Sequence, residues 1–229
     1  MDVISEFFTE YDGLKAFQQT IYLTLLSALF ALVIGTVVAV MRVSPVRVLQ
    51  MIGSAYVNIV RNTPLTLVIV FCNLGLFLQL GIQLSNPDSP TSIDDNNFRL
   101  AVLGLSVYHA AFVAEAIRSG VNTVPLGQAE AARAIGLPFL KTLRYVVLPQ
   151  AFRGAIAPLG NVLIALTKNS TVASVIGVTE ASAVMKVMME NRPDVIFVVF
   201  GIFAIGFVIL TLPVGILFTS MSKRLAVKR

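Results

Sequence analysis

The sequence predicts an all-α integral membrane protein of about five transmembrane helices with one short helix on the cytoplasmic side. Three observations carry that prediction. Hydrophobic residues fill 56% of the 229 positions against 13% charged, for a mean hydropathy of +0.84, more apolar surface than a water-soluble domain of this size can bury. Several uncharged runs are long enough to cross a bilayer, and the lysines and arginines gather in alternate loops. The chain reads as a single transmembrane domain over 1–229, without heptad array, low-complexity tract or internal repeat.

A crossing takes about 20 helical residues. The first span is placed at about 17–41, around the uncharged run Ile21–Met41, and the second at about 60–84, around Thr63–Leu84. The third, about 98–117, has the apolar stretch Leu100–Ala114 and stops at Glu115. The fourth, about 150–175, has Gly154–Thr167 followed by Lys168 before apolar character resumes. Both count as spans because charges inside transmembrane helices usually face a bundle interior or a water-filled cavity. The fifth, about 195–222, holds the uncharged run Val195–Ser222.

Five spans put the termini on opposite sides. Arg42 and Arg47, then Arg118, Arg133, Lys141, Arg144 and Arg153, then Lys223, Arg224, Lys228 and Arg229 all fall on one side. The loop "SNPDSPTSIDDNN" on the other side has three aspartates and no base. The positive-inside rule therefore predicts an N-terminus outside and a C-terminus in the cytoplasm. The acidic start (Asp2, Glu6, Glu10, Asp12) is not expected to be a cleaved signal peptide. The net charge of +5 is scattered between apolar runs, so nucleic acid is not an expected partner. One cysteine, Cys72, leaves no intrachain disulfide and no cysteine metal site.

Between spans three and four lies "GQAEAARAIGLPFLKTLRYVVLP", residues 127–149. Pro125 suits a first helical turn, with Thr123 a candidate cap, and Glu130 stands where the helix dipole favours an acid. Gly136 and Pro138 should stop this helix, giving about 125–137. It reads either as a surface loop helix or as a docking knob in which Ala131, Ala132 and Gly136 let a partner approach closely.

Glu130, Ala131, Ala132, Gly136, Val146, Leu148 and Pro149 form the pattern EAA-x3-G-x9-V-x-LP, which resembles the EAA loop of ABC-importer permeases. "VRNTPLTLV" at 60–68, "YHAAFVAEAIRSGVNTVPLGQAEAA" at 108–132 and "LPQAFRGAIAPLGNVLIALTKNSTVASVIGVTE" at 148–180 narrow the resemblance to the polar amino acid uptake permeases. The sequence departs from that family's common residues at Asn62, Ser119 and Asn169. The resemblance implies a bacterial plasma-membrane importer in which this chain forms the translocation path. It implies two permease chains, a cytoplasmic ABC ATPase dimer docked on the EAA helix, and an extracytoplasmic substrate-binding protein. No G-x4-G-K-[ST] occurs here, so ATP and magnesium are expected on the separate ATPase, with no cofactor and no catalysis on this chain.

Candidate path residues are Arg61, Asn62 and Thr63 at the start of span two, with Lys168, Asn169, Ser170 and Thr171 in span four. Two cations and no acid in that set favour an anionic amino acid such as glutamate. Two other readings compete: an ion-coupled secondary transporter, which would want acids at the midplane, and a membrane scaffold, which would not explain Lys168. Glu115, close to Arg118, reads better as half of an ion pair than as a proton relay. His109, in an apolar run, reads as a packed, hydrogen-bonded histidine.

Overall fold

A computed structural model describes residues 3–225. Asp2, Lys228 and Arg229, part of the charge pattern above, lie outside the described residues. The described chain is helical throughout: α1 (Val3–Thr9), α2 (Gly13–Val43), α3 (Arg47–Arg61), α4 (Leu65–Val70), α5 (Ser92–Val121), α6 (Leu126–Ala134), α7 (Phe139–Thr142), α8 (Leu148–Asn169), α9 (Ala181–Asn191) and α10 (Ile196–Leu225). π-helical stretches extend α4 over Phe71–Gln79 and link α7 to α8 over Leu143–Val147. A 3₁₀ stretch, Ser170–Ile176, extends α8.

Helix α5 is the centre of the bundle. In its most apolar stretch 72% of residues are buried, against 11% in α10, so α5 is packed by its own chain while α10 offers most of its surface to lipid or partners. Side-chain pairings fix the directions. Gly35 of α2 meets Val113 of α5, and Ser27 lies beside Ser106, so α2 and α5 run parallel. A Cβ on Gly120 of α5 would stand 2.1 Å from the Ala151 carbonyl oxygen of α8, while His109 meets Asn169, so α5 and α8 are antiparallel. Gly160 faces Phe218, and Phe17 stacks on Phe203, which sends α10 back alongside α2. Small residues let these backbones approach, as helices in lipid require for close packing.

Four of the five expected spans are therefore single long helices, and the second is not. Instead of one straight helix over 60–84, the segments Arg47–Arg61 and Leu65–Gln79 meet at an angle of 103°, a broken pair that together returns the chain from the end of α2 to the start of α5. Pro64 is the cause. It has no N–H to continue the helix, and it disfavours the α conformation at Thr63, so α3 ends at Asn62 and a new helix starts after the proline. Ile69 of α4 packs against Gly104, and Asn73 bonds Asn97 at 2.9 Å, so this arm accompanies the half of α5 remote from α6. α3 covers the other half, where the Tyr56 hydroxyl donates to the Val107 carbonyl at 2.5 Å.

The 3₁₀ tightening after Asn169 has a side-chain origin. Ser170, Thr171 and Ser174 each donate a hydroxyl hydrogen to the carbonyl three residues earlier (2.8, 2.8 and 2.7 Å), favouring the narrower winding. Gly177, at φ +83°, ends the segment.

Candidate functional site

The expected coupling segment is a helix of nine residues, Leu126–Ala134. Its end is a Schellman closure: Gly136 N–H bonds the Arg133 carbonyl at 3.0 Å and Leu137 N–H the Ala132 carbonyl at 3.1 Å. Gly136 has φ +90° and open space where a Cβ would be, so its conformation, rather than close approach, demands glycine. Thr123 does not cap α6. Its hydroxyl turns back to the Gly120 carbonyl at 2.7 Å and closes α5, while Pro125 holds the N-cap position of α6. Ala132 is buried, whereas Glu130, Ala131 and Gly136 are exposed beside Leu126, Ile135 and Leu140, which are 80%, 81% and 69% exposed. Glu130 and Arg133 rim this exposed apolar surface, the kind of patch that protein contacts commonly cover.

The path candidates fall into two groups. Lys168 lies in the last turn of α8, not in the middle of an uninterrupted helix, and is exposed. Among the described residues it has no ion pair, and Glu180, a possible partner, is wholly buried and caps α9 through the Ser182 and Ala183 N–H groups at 2.9 Å. Asn169 donates its amide to His109 Nε2 at 3.2 Å, and His109 donates Nδ1–H to the Leu105 carbonyl at 3.0 Å, which fixes the tautomer. The packed-histidine reading thus holds, and His109 orients Asn169. Ser170 differs from expectation: it has no exposed surface, so it supports the wall rather than lining a path. Thr171 lines a cavity of about 500 Å³ with Thr66 and Ser182 among apolar residues.

Arg61, Asn62 and Thr63 form the second group. Asn62 and Thr63 bond back to the Asn58 and Ile59 carbonyls (2.7 and 2.9 Å), satisfying the end of α3 at the bend. The Arg61 guanidinium lies 5.5 Å from the Phe112 ring centroid and 3.8 Å from Glu115 Oε1. Sequence reading paired Glu115 with Arg118, which stands 3.7 Å from Oε2, and missed its main partner, Arg42, which hydrogen-bonds Oε1. Only the parallel packing of α2 on α5 brings Arg42 there.

Residues 31–227 match the family described as binding-protein-dependent transport system inner membrane component. The chain is 58% identical over 216 residues to the glutamate transport system permease protein GluC of Corynebacterium glutamicum, covering 94% of this chain and 95% of that one. It is 34% identical to the probable glutamine ABC transporter permease protein GlnM of Bacillus subtilis, over 94% and 95% of the two chains. Among solved structures, a chain of an amino acid ABC transporter crystallised with histidines matches with a TM-score of 0.79 at 28% identity, over 98% of this chain and 99% of that one.

Proposed function

The chain belongs to the family of binding-protein-dependent transport system inner membrane components, and on that premise we propose that it is the permease through which an ABC importer takes up L-glutamate. It is a transport subunit and not an enzyme, and the ATPase of such a system is a separate polypeptide. The ion-coupled carrier and the scaffold fall away with the family. The observation that carries the substrate is the 58% identity, end to end, with a permease named for glutamate. The residues are compatible with it: Lys168 is exposed and without a partner acid in the described chain, and Asn169 beside it is held by His109.

In this reading a binding protein delivers glutamate from outside, and the ATPase docks on the exposed face of α6 around Glu130 and Ala131. Two permease chains, whether identical or not, enclose the path. ATP-driven closure of the ATPases moves α6 and α7, and the spans exchange outward- and inward-facing states according to their differential contacts. The test is uptake in proteoliposomes containing this permease with its ATPase and binding protein. L-Glutamate should enter with ATP and outcompete L-glutamine and L-arginine. Uptake of one of those two in preference would overturn the glutamate assignment.

A further inference from the structure

Between Leu105 and Gly120, α5 is covered by its own chain on every side but one. The less covered side holds the half-buried Phe112, Glu115 and Arg118, with exposed Ser119 beside them and Tyr108 turned onto the core. His109 and its partner Asn169 lie at one end of this stretch of α5, and Lys168 precedes Asn169 in the last turn of α8. Arg61 and Arg118 stand at the other, about nine residues or roughly 14 Å further along the helix.

The second end is over-supplied with positive charge. Glu115 is the single acid among Arg42, Arg61 and Arg118. Arg42 hydrogen-bonds it directly, with a side chain only 9% exposed, which places one full positive charge against that carboxylate. Gly53 of α3 makes the approach feasible, because a Cβ there would lie 2.8 Å from Arg42 Cγ. Arg61 and Arg118 are beyond hydrogen-bonding distance of Glu115, and among the described residues neither guanidinium donates a hydrogen bond. Their side chains are 46% and 44% exposed. Behind them, Arg42 Nε is buried without a partner, so even the neutralised pair is short of an acceptor. Two guanidiniums with free donors, converging on one carboxylate that is already paired, are arranged to take a second carboxylate.

We propose that Arg61 and Arg118, backed by the Arg42–Glu115 pair, form a second carboxylate station on the path, where the substrate's carboxylate rests on the α6 side before release. Lys168 of α8 and this cluster then make two cationic stops, at the levels of His109 and Glu115 of α5. Arg118 is a specificity residue, and Glu115 sets the strength of the station by holding the two free arginines in place while limiting their charge. The station deepens the glutamate reading and rests on it for the identity of the carboxylate.

The test is the thermal stability of the detergent-solubilised permease–ATPase complex without binding protein. L-Glutamate should raise the melting temperature of the wild type more than L-glutamine does at equal ionic strength. Arg118→Gln should lose at least half of that difference, Arg118→Lys should keep most of it, and Lys168→Met should leave the Arg118-dependent part intact. Arg61→Gln provides an independent variant should Arg118→Gln fail to assemble. Equal glutamate shifts in wild type and in both glutamine variants would overturn the proposal, as would stabilisation by phosphatidylglycerol but not by glutamate, which would make the cluster a lipid headgroup site. If the wild type shows the shift yet does not take up glutamate in proteoliposomes, the station stands and the substrate assignment falls. Uptake of glutamate with no arginine-dependent shift gives the reverse result.

Discussion

At Lys168 a cation stands at the end of an apolar helix with no partner acid among the described residues. A lysine at the bilayer centre costs about 2.5–3.5 kcal/mol on insertion scales, and a helix C-terminus returns only about 0.3–1 kcal/mol. Lys168→Met keeps the apolar stem and removes the charge. Insertion and basal ATP hydrolysis should survive, while glutamate uptake falls roughly tenfold or more, the loss expected for a charge-assisted hydrogen bond of about 1.5–3 kcal/mol. Unchanged uptake kinetics would leave Lys168 as an interfacial anchor. Glu180 poses a different question. Burial pushes its carboxyl above the usual carboxylate range, against the lowering effect of the Ser182 hydroxyl and the Ser182 and Ala183 N–H donors. With the folded value raised, the stabilisation is complete below about pH 4.3, the unfolded value, and is lost as pH rises through the folded value. The melting temperature of wild type should therefore decline across that window more than that of Glu180→Gln. Parallel pH profiles would show that Glu180 is ionised in place.

At the scale of elements, α6 offers a clean separation of folding from docking. Gly136→Ala imposes a left-handed backbone on a residue with a Cβ, at about 1–2 kcal/mol, and strains the closure whatever docks there. Glu130→Lys reverses a charge on an exposed position with no ion pair among the described residues, so its effect reports the partner. ATP hydrolysis in Glu130→Lys should stop responding to the binding protein while the permease still inserts, as measured by ATPase stimulation in proteoliposomes. Full stimulation would remove α6 as the coupling element. This helix was legible in the sequence because its signals are local: Pro125, the helix formers after it, and a glycine at the stop. The bend at Pro64 was equally local, yet hydropathy hides it, since "NTPLTL" is uncharged and reads as the start of a span. The Arg42–Glu115 pair was not legible. Its members are 73 residues apart, and nothing in either segment specifies that α2 and α5 run parallel with those turns level.

At the scale of the whole molecule, the packing directions and the charge asymmetry make one argument about orientation. α2, α5 and α10 run the same way and α8 the opposite way, so the described ends of the chain lie on opposite faces of the bundle. The ends of α2, α5 and α10 carry Arg42, Arg118, Lys223 and Arg224, on the face that also bears α6. The opposite face has a cleft of about 650 Å³ in which Glu10, Asp12, Asp94 and Asp95 outnumber Lys15. Positive charge resists translocation, so the α6 face should be cytoplasmic and the acidic cleft external, within reach of a binding protein. Asp88 and Ala134 are exposed positions on the two sides of α5. In a Cys72→Ala background, Asp88→Cys should react with a membrane-impermeant thiol reagent added to intact cells, and Ala134→Cys only after the membrane is opened. The reversed pattern would invert the protein and, with it, the assignment of α6 to the ATPase. Labelling of both from outside would mean that α5, the most buried helix in the bundle, does not cross the membrane, and neither cationic stop beside it could then belong to a transmembrane path.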